Sequence, residues 1–173
     1  MKPLLADFDF SDKKVLDFGC GIGSACSIFT SDNYIGLDHD LRRVNYARRM
    51  NKDYNFDIIQ NNNLNLEDRS IDYILIMAVL HHISTQDIKE YLIEFKRVLK
   101  KDGKLVIIEP CFFKENYFTN WLMNTFDKGK YIRNETSYLN LFSEQLFQVE
   151  TTKKLRKGAY NELFFVVSQK NNF

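Results

Sequence analysis

The chain has 173 residues, 45% hydrophobic and 27% charged, proportions typical of one globular domain with a full apolar core. Its 24 Lys and Arg and 23 Asp and Glu leave a net charge of +1, which argues against the broad basic field of a nucleic-acid-binding protein. No apolar stretch has the length of a membrane span or forms the core of a signal peptide, so we expect a cytoplasmic protein without membrane contact. Cys20, Cys26 and Cys111 are odd in number and lack CxxC spacing, which predicts reduced thiols and no metal site.

Short buried strands and amphipathic helices alternate along the first two thirds of the chain. Strands are predicted at KVLDFG (14–19), NYIGLD (33–38), FDIIQ (56–60), DYILIMA (72–78) and KLVIIEP (104–110). This alternation indicates βαβ units and therefore a parallel, doubly wound α/β sheet.

The clearest helical pattern is TQDIKEYLIEFKRVLKKDG, in which Thr85 is expected to cap the helix. Lys100 and Lys101 are expected near its end, with Gly103 after it. Its apolar stripe consists of Ile88, Leu92, Phe95, Val98 and Leu99.

The pattern changes after Pro110. Helices are predicted over 116–126 and 136–146, and the runs 147–155 and 161–170 suggest a closing antiparallel pair. We therefore expect one domain over 1–173, with a core at 14–110, a variable cap segment at 111–146 and closing strands at 147–170.

The first predicted strand ends in a glycine turn, VLDFGCGIGS (15–24). In a doubly wound sheet, ligands bind at the carboxyl ends of the strands, where this turn lies. A dinucleotide fingerprint needs G-x-G-x-x-G, but the third glycine would fall at Ser24 or Cys26. No Gly-Lys-Ser/Thr follows either, which excludes a phosphate loop.

The pattern D-x-G-x-G-x-G from Asp17 to Gly23 resembles the signature of class I S-adenosylmethionine-dependent methyltransferases. A second acidic residue, Asp38, ends the next strand. LEDRSIDYILIMAVLHHI and FKRVLKKDGKLVIIEP are similar to the fourth- and fifth-strand blocks of the type 11 branch of that family. The similar blocks span about residues 14 to 110.

This resemblance implies a Rossmann-like, mostly parallel seven-stranded sheet with an antiparallel last strand and helices on both faces. It also implies S-adenosyl-L-methionine as cofactor and S-adenosyl-L-homocysteine as product. Asp17 would help to hold the cofactor's ammonium, and Asp38 its ribose hydroxyls, unless Asp38 is only the N-cap of the next helix. The cofactor site expected from the resemblance comprises Asp17, Phe18, Gly19, Cys20, Gly21, Gly23, Asp38, His39, Gln60, Asn61, Asn62, Met77, Ala78 and Leu80.

The sequence departs from the family pattern at two places. The Asp that usually accepts from the adenine amino group is missing; Gln60 falls nearest, with Asn61 or Asn62 if the loop slips, although a solvated Asn-rich loop is as good an interpretation. Only about a dozen residues precede the first strand, where relatives carry helices that cover the cofactor. The site is then open, or it is covered by residues 111–146 or by a partner subunit, which makes a homodimer a hypothesis.

His81 and His82, just after the fourth strand, are candidate general bases. Alternatively, the turn contacts the cofactor through its backbone while the rings cap the next helix. Glu109 is a candidate for orienting an acceptor hydroxyl, and its alternative role is a buried carboxylate bound by nearby amides.

Residues 111–142 are rich in aromatic side chains and contain the only Trp, Trp121; Asp127, Lys128, Lys130 and Arg133 follow closely. This suits a small-molecule acceptor with an apolar or ring face and an anionic group, such as a saccharide or a carboxylic acid. The alternative is that Phe118, Leu122 and Phe126 are core residues of a covering helix.

The function predicted is methylation of a small biosynthetic metabolite, with oxygen slightly favoured over nitrogen. A catalytically inactive, cofactor-binding partner subunit is the alternative, and an RNA methyltransferase would need a contiguous basic face.

Overall fold

The computed structural model describes residues 2–127, 129–144, 146–157 and 160–170. The strands are β1 (Val15–Phe18), β2 (Tyr34–Asp38), β3 (Asn55–Ile58), β4 (Ile71–Met77), β5 (Leu99–Phe112), β6 (Arg133–Asn134), β7 (Phe147–Lys157) and β8 (Tyr160–Gln169). The α-helices are α1 (Lys2–Leu5), α2 (Leu41–Met50), α3 (Thr85–Val98), α4 (Tyr117–Phe126) and α5 (Glu135–Ser143). Short 3-10 turns lie at Cys26–Ile28, Ser31–Asn33 and Leu80–His82.

The strands form one sheet in the order β3-β2-β1-β4-β5-β8-β7, with the two-residue β6 added beside the end of β5. Strands β1 to β5 pair in parallel, whereas β8 is antiparallel to both β5 and β7. The strand order reverses between β1 and β4, and ligands bind above such a reversal. The predicted doubly wound sheet with an antiparallel last strand is confirmed.

Helices cover the two faces of the sheet unequally. On one face α3 and α5 bury a large cluster that contains Leu92, Phe95 and Phe142. On the other face, α2 contributes Val44 and Ala47, and the segment before β1 packs its aromatic side chains against a second cluster. Residues 19–33, all of which are described, connect β1 to β2 with 3-10 turns and no α-helix. Within the described residues no helix is both long and apolar enough to cross a membrane.

Two details of the predicted α3 helix are wrong. Its N-cap is Ser84, whose side chain accepts from the Asp87 amide, and Thr85 is the first helical residue. The helix ends at Val98 because β5 begins at Leu99, which pairs with Ile71. Lys100, Lys101 and Gly103 therefore lie in β5, where pairing with β4 overrides the local helical pattern.

Neighbouring residues of α3 offer a matched test of this packing. Leu92 is fully buried, whereas Ile93 is 63% exposed. We expect Leu92→Ala to lower the free energy of unfolding by about 2–5 kcal/mol because it leaves a cavity. Ile93→Ala should change it by less than roughly 0.5 kcal/mol. Urea unfolding, monitored by circular dichroism, measures the free energy of unfolding of both variants. Equal losses of free energy in the two variants would contradict this orientation of α3.

Candidate functional site

All three glycines of the turn after β1 have left-handed backbone, with φ of +74° at Gly19, +55° at Gly21 and +81° at Gly23. A Cβ atom added at Gly19 would collide with the side chain of Val79, and one at Gly23 would lie 2.8 Å from the ring of Phe56. At Gly21 nothing lies within 4 Å of an added Cβ. Two glycines are therefore required by packing inside the protein, and Gly21 is the one that faces open space.

Asp38 ties the end of β2 to the glycine turn. Its Oδ2 accepts from the amide of Gly21 at 2.8 Å, and its Oδ1 accepts from the amide of Asp40 at 2.8 Å. The N-cap of α2 is Asp40, whose side chain accepts from the first amides of the helix, so Asp38 does not cap it. Each oxygen of the Asp38 carboxylate keeps acceptor capacity for a ligand.

Asp17 lies at the base of the turn and is 2% exposed. The hydroxyl of Tyr34 donates to its Oδ2 at 2.6 Å. Burial raises the pKa of Asp17 to about 6, and the hydrogen bond from Tyr34 opposes this rise. A cation beside this carboxylate would offset the cost of its burial.

A cavity of about 460 Å³, here the turn cavity, opens beside this carboxylate. It brings together five of the residues predicted from the sequence. Its lining consists of Asp17, Gly19, Cys20, Gly21, Ile22, Ser24, Ala25, Arg43 and Met77.

A second cavity of about 350 Å³, here the His39 cavity, shares Gly19 and Arg43 with the turn cavity. Ile59, which follows β3, and apolar side chains of the turn after β4 line it together with the polar groups of Asp38 and His39. The full lining is Phe18, Gly19, Asp38, His39, Asp40, Arg43, Ile59, Ala78, Val79, His82 and Ile83.

The amide side chains predicted to replace the missing Asp do not line the His39 cavity. Gln60 and Asn61 are exposed and line a separate cavity of about 470 Å³. Asn61 and Asn62 both have left-handed φ, of 52° and 56°, and the turn they form bridges Gln60 to Asn63. This turn directs Gln60 away from the crevice, so the interpretation as a solvated loop holds for Gln60 and Asn61. Asn62 instead bonds to groups of α3.

A cavity of about 690 Å³, here the α4 cavity, adjoins the turn cavity and the His39 cavity. Ala78 lies between this cavity and the His39 cavity, with a left-handed φ of 53° that is strained for a residue other than glycine. The lining of the α4 cavity comprises Arg43, Ala78, His81, His82, Pro110, Leu122, Met123, Phe126, Asp127, Tyr160 and Glu162.

Glu109 organises the turn that follows β4. It is fully buried, and its Oε1 accepts from the amides of Val79 and Leu80 at 2.7 and 2.8 Å. Its Oε2 accepts from the His81 amide and lies 2.9 Å from His81 Nδ1. Neighbouring donors therefore occupy both oxygens of this buried carboxyl, which matches the alternative role of a carboxylate bound by nearby amides.

His81 is 4% exposed and lines the α4 cavity. Since Glu109 bonds to its Nδ1, the ring nitrogen left for chemistry is Nε2, which lies 3.7 Å from Asp127 Oδ1. His82 is exposed and lines both the His39 and α4 cavities. Partial burial lowers the pKa of His82, and the neighbouring His81 lowers it further, so the neutral form of His82 is favoured.

Other predicted residues have structural roles. Leu80 is fully buried in the core, its amide donates to Glu109 and its carbonyl accepts from Arg133, and it lines neither the turn cavity nor the His39 cavity. Arg133 also donates to the Ile83 carbonyl at 2.9 Å, which makes it a brace for the turn and not an anion site. Lys128 lies outside the described residues.

The predicted core role of α4 is largely wrong. Within Tyr117–Phe126, all of which is described, only Met123 is buried. Phe118 is 72% exposed and Phe126 is 75% exposed. The helix covers the α4 cavity with Leu122, Met123 and Phe126 and leaves its remaining aromatic side chains at the surface.

Sequence reasoning missed two residues of this site. Arg43 lines the turn, His39 and α4 cavities, and its position as the third residue of α2 after the N-cap Asp40 was the available signal. Tyr34 bonds to Asp17 across paired strands, and only the β1–β2 register brings it near.

Comparisons with known proteins agree with this architecture. A family model described as a methyltransferase domain matches residues 16–107, more than half of the chain. The chain is 31% identical over 105 residues to the demethylmenaquinone methyltransferase of Thermotoga maritima, a match that covers 58% of this chain and 45% of that protein. It is 33% identical over 94 residues to the Mus musculus protein named "Probable tRNA methyltransferase 9B", covering 54% of this chain and 21% of that protein. The matches thus span less than half the length of these relatives.

Among solved structures, a SAM-dependent methyltransferase from Methanosarcina mazei superimposes with a TM-score of 0.79. The superposition covers 98% of each chain at 16% sequence identity, and it shows a shared fold.

Asp17 should make the stability of the protein depend on pH. Its pKa is raised to about 6 in the folded protein, so its contribution is favourable at low pH and is lost as the pH rises through that value. Asp17→Asn keeps an acceptor for Tyr34 but cannot ionise. Relative to the wild type it should gain up to about 3 kcal/mol in unfolding free energy between about pH 4 and pH 7.

Urea unfolding at several pH values measures this difference, with the exposed Asp53→Asn as control. A constant difference between wild type and Asp17→Asn at every pH would contradict the assignment.

Proposed function

Because the chain belongs to the methyltransferase-domain family of class I S-adenosylmethionine-dependent enzymes, we propose that it methylates a hydroxyl oxygen of a small metabolite. The single observation that carries the choice of oxygen is the Glu109–His81 pair at the wall of the α4 cavity. The activity, the acceptor and the residue roles below are all part of this proposal.

The residues of the turn fit the cofactor. The open space at Gly21 would take its methionine portion, the Asp17 carboxylate its ammonium, and the two Asp38 oxygens its ribose hydroxyls. The apolar walls of the His39 cavity would enclose the base. When bound, the cofactor supplies an electrophilic methyl group on a sulfonium and leaves as S-adenosylhomocysteine.

His81 is proposed as the general base. The buried Glu109 carboxylate holds the proton of its Nδ1, so the neutral ring presents a lone pair at Nε2. Nε2 would remove the proton of the acceptor hydroxyl as the oxygen–methyl bond forms and the sulfur–methyl bond breaks. Glu109 acts as a positioning residue, because its other bonds fix both the turn and the ring.

The α4 cavity suggests the class of acceptor. Pro110, Leu122, Met123 and Phe126 provide apolar walls, and Arg43 supplies a cation at the border with the two cofactor cavities. These features favour a molecule with a ring or other apolar face and an anionic group, such as a carboxylate, at the Arg43 end.

Gly21 and Gly23 offer a matched test of cofactor placement. Alanine at either position carries a left-handed backbone cost of roughly 1–2 kcal/mol. Gly21→Ala adds a methyl group to open space, so S-adenosylhomocysteine should bind about tenfold or more weakly. Gly23→Ala presses on Phe56, so it should lose more stability and keep the affinity of its folded fraction.

Isothermal titration and urea unfolding measure the affinities and stabilities. Unchanged affinity in Gly21→Ala, or the reverse order of effects, would place the cofactor elsewhere.

The base is tested with His81→Asn, whose Nδ2 can replace Nδ1 as a donor to Glu109 while Nε2 is lost. Incubation with methyl-labelled cofactor and a panel of hydroxylated carboxylic acids and sugars, or a metabolite extract, would first identify the methylated product. The variant should then lower kcat by roughly 10²–10⁴ and leave the affinity for S-adenosylhomocysteine unchanged.

His82→Asn, at the exposed neighbour, serves as the control and should have a much smaller effect on kcat. Full turnover by His81→Asn would refute the role of His81. Tight cofactor binding with no labelled product from any acceptor would instead favour the inactive partner subunit.

A further inference from the structure

The His39 cavity lacks the acceptor expected after β3, since Gln60 and Asn61 line a different cavity. His39 is exposed and lines the cavity directly. Its Nε2 lies 2.7 Å from the hydroxyl oxygen of Tyr91. Among the described residues, its Nδ1 makes no hydrogen bond. Which ring nitrogen of His39 carries the proton therefore decides whether Nδ1 can accept a hydrogen bond from a ligand or donate one to it.

A chain of hydrogen bonds fixes that protonation. The Glu90 carboxylate can only accept, and Asn62 Nδ2 donates to its Oε2 at 3.0 Å. This fixes the orientation of the Asn62 amide, so the amide oxygen of Asn62 faces Tyr91. The Tyr91 hydroxyl donates to that oxygen at 2.7 Å.

Tyr91 has one hydroxyl proton, and the bond to Asn62 uses it. Tyr91 is 2% exposed, and burial raises the pKa of its hydroxyl, so the proton is retained. The short contact between Tyr91 and His39 Nε2 then requires His39 to donate. Neutral His39 is held with its proton on Nε2, which leaves a lone pair on Nδ1.

We propose that His39 Nδ1 accepts a hydrogen bond from the exocyclic amino group of the cofactor's adenine. The role rests on the proposed function, because it assumes that the His39 cavity takes the adenine. Asp38 is the acceptor for the ribose, and the apolar side chains of Ile59, Val79 and Ile83 suit the faces of a planar base. His39 thereby supplies the acceptor that the loop after β3 does not. Tyr91, Asn62 and Glu90 are positioning residues, since they act through His39.

The tautomer is tested on the free protein. Long-range ¹⁵N NMR of the three histidines, with His39→Gln used for assignment, reports which ring nitrogen carries the proton. At about pH 8, His39 should show a protonated Nε2 and an unprotonated Nδ1. Tyr91→Phe should shift it to a mixture of tautomers. A protonated Nδ1 in the wild type would overturn the inference.

The adenine contact is tested by comparing S-adenosylhomocysteine with its 6-oxo analogue, S-inosylhomocysteine. The analogue has an acceptor oxygen in place of the amino group, which would face the lone pair of Nδ1. By titration calorimetry the wild type should prefer the adenine compound by about tenfold or more, as for a polar group left unpaired. His39→Phe should abolish most of this preference, and Tyr91→Phe should reduce it.

His39→Asn, which keeps an acceptor near the position of Nδ1, should restore part of the preference. Ile93→Phe, at an exposed residue outside the cavity, should keep it. If the wild type binds neither compound, the proposed function fails. If it binds the adenine compound and His39→Phe keeps the same ratio of affinities, the role of His39 fails and the proposed function stands.

Discussion

The hydrogen bond from the Gly21 amide to the Asp38 carboxylate is the constraint on which the site depends. It joins the turn after β1 to the end of β2 and keeps Gly21 in its left-handed conformation beside open space. The same carboxylate accepts from Asp40, the N-cap of α2, so it also sets where that helix begins. From the first turn of α2, Arg43 reaches the turn, His39 and α4 cavities. The Asp38 carboxylate thus fixes the positions of both Gly21 and Arg43.

A second buried carboxylate has the corresponding role on the other side of the strand reversal. Glu109 gathers the amides of the turn after β4 and bonds to the ring of His81. Arg133 braces the same turn from outside through backbone carbonyls. The strained Ala78 begins this turn, and its amide donates a hydrogen bond to the Ile108 carbonyl. The candidate base is therefore positioned by packing and hydrogen bonds that are complete without any ligand.

Much of the fold could be predicted because its signals are local. Apolar runs bounded by Gly, Asp or Pro marked the strands, and the periodicity of α3 marked its buried face. The end of α3 could not be predicted, because pairing of Leu99 with Ile71 decides it and that contact is distant in sequence. The direction of Gln60 was also hidden, since two successive left-handed Asn residues turn the loop away. For Glu109 the sequence left two roles open, and the donors that surround its buried carboxylate follow only from the tertiary structure.

Above all, we propose that the crevice at Gly21 holds a sulfonium nucleoside whose ribose lies against Asp38. A crystal structure of the protein soaked with S-adenosylhomocysteine tests it most directly. We expect the ribose hydroxyls within hydrogen-bond distance of both Asp38 oxygens and the amino acid portion over Gly21, beside Asp17. Density for the ligand elsewhere, or a crevice filled by rearranged side chains, would contradict the account.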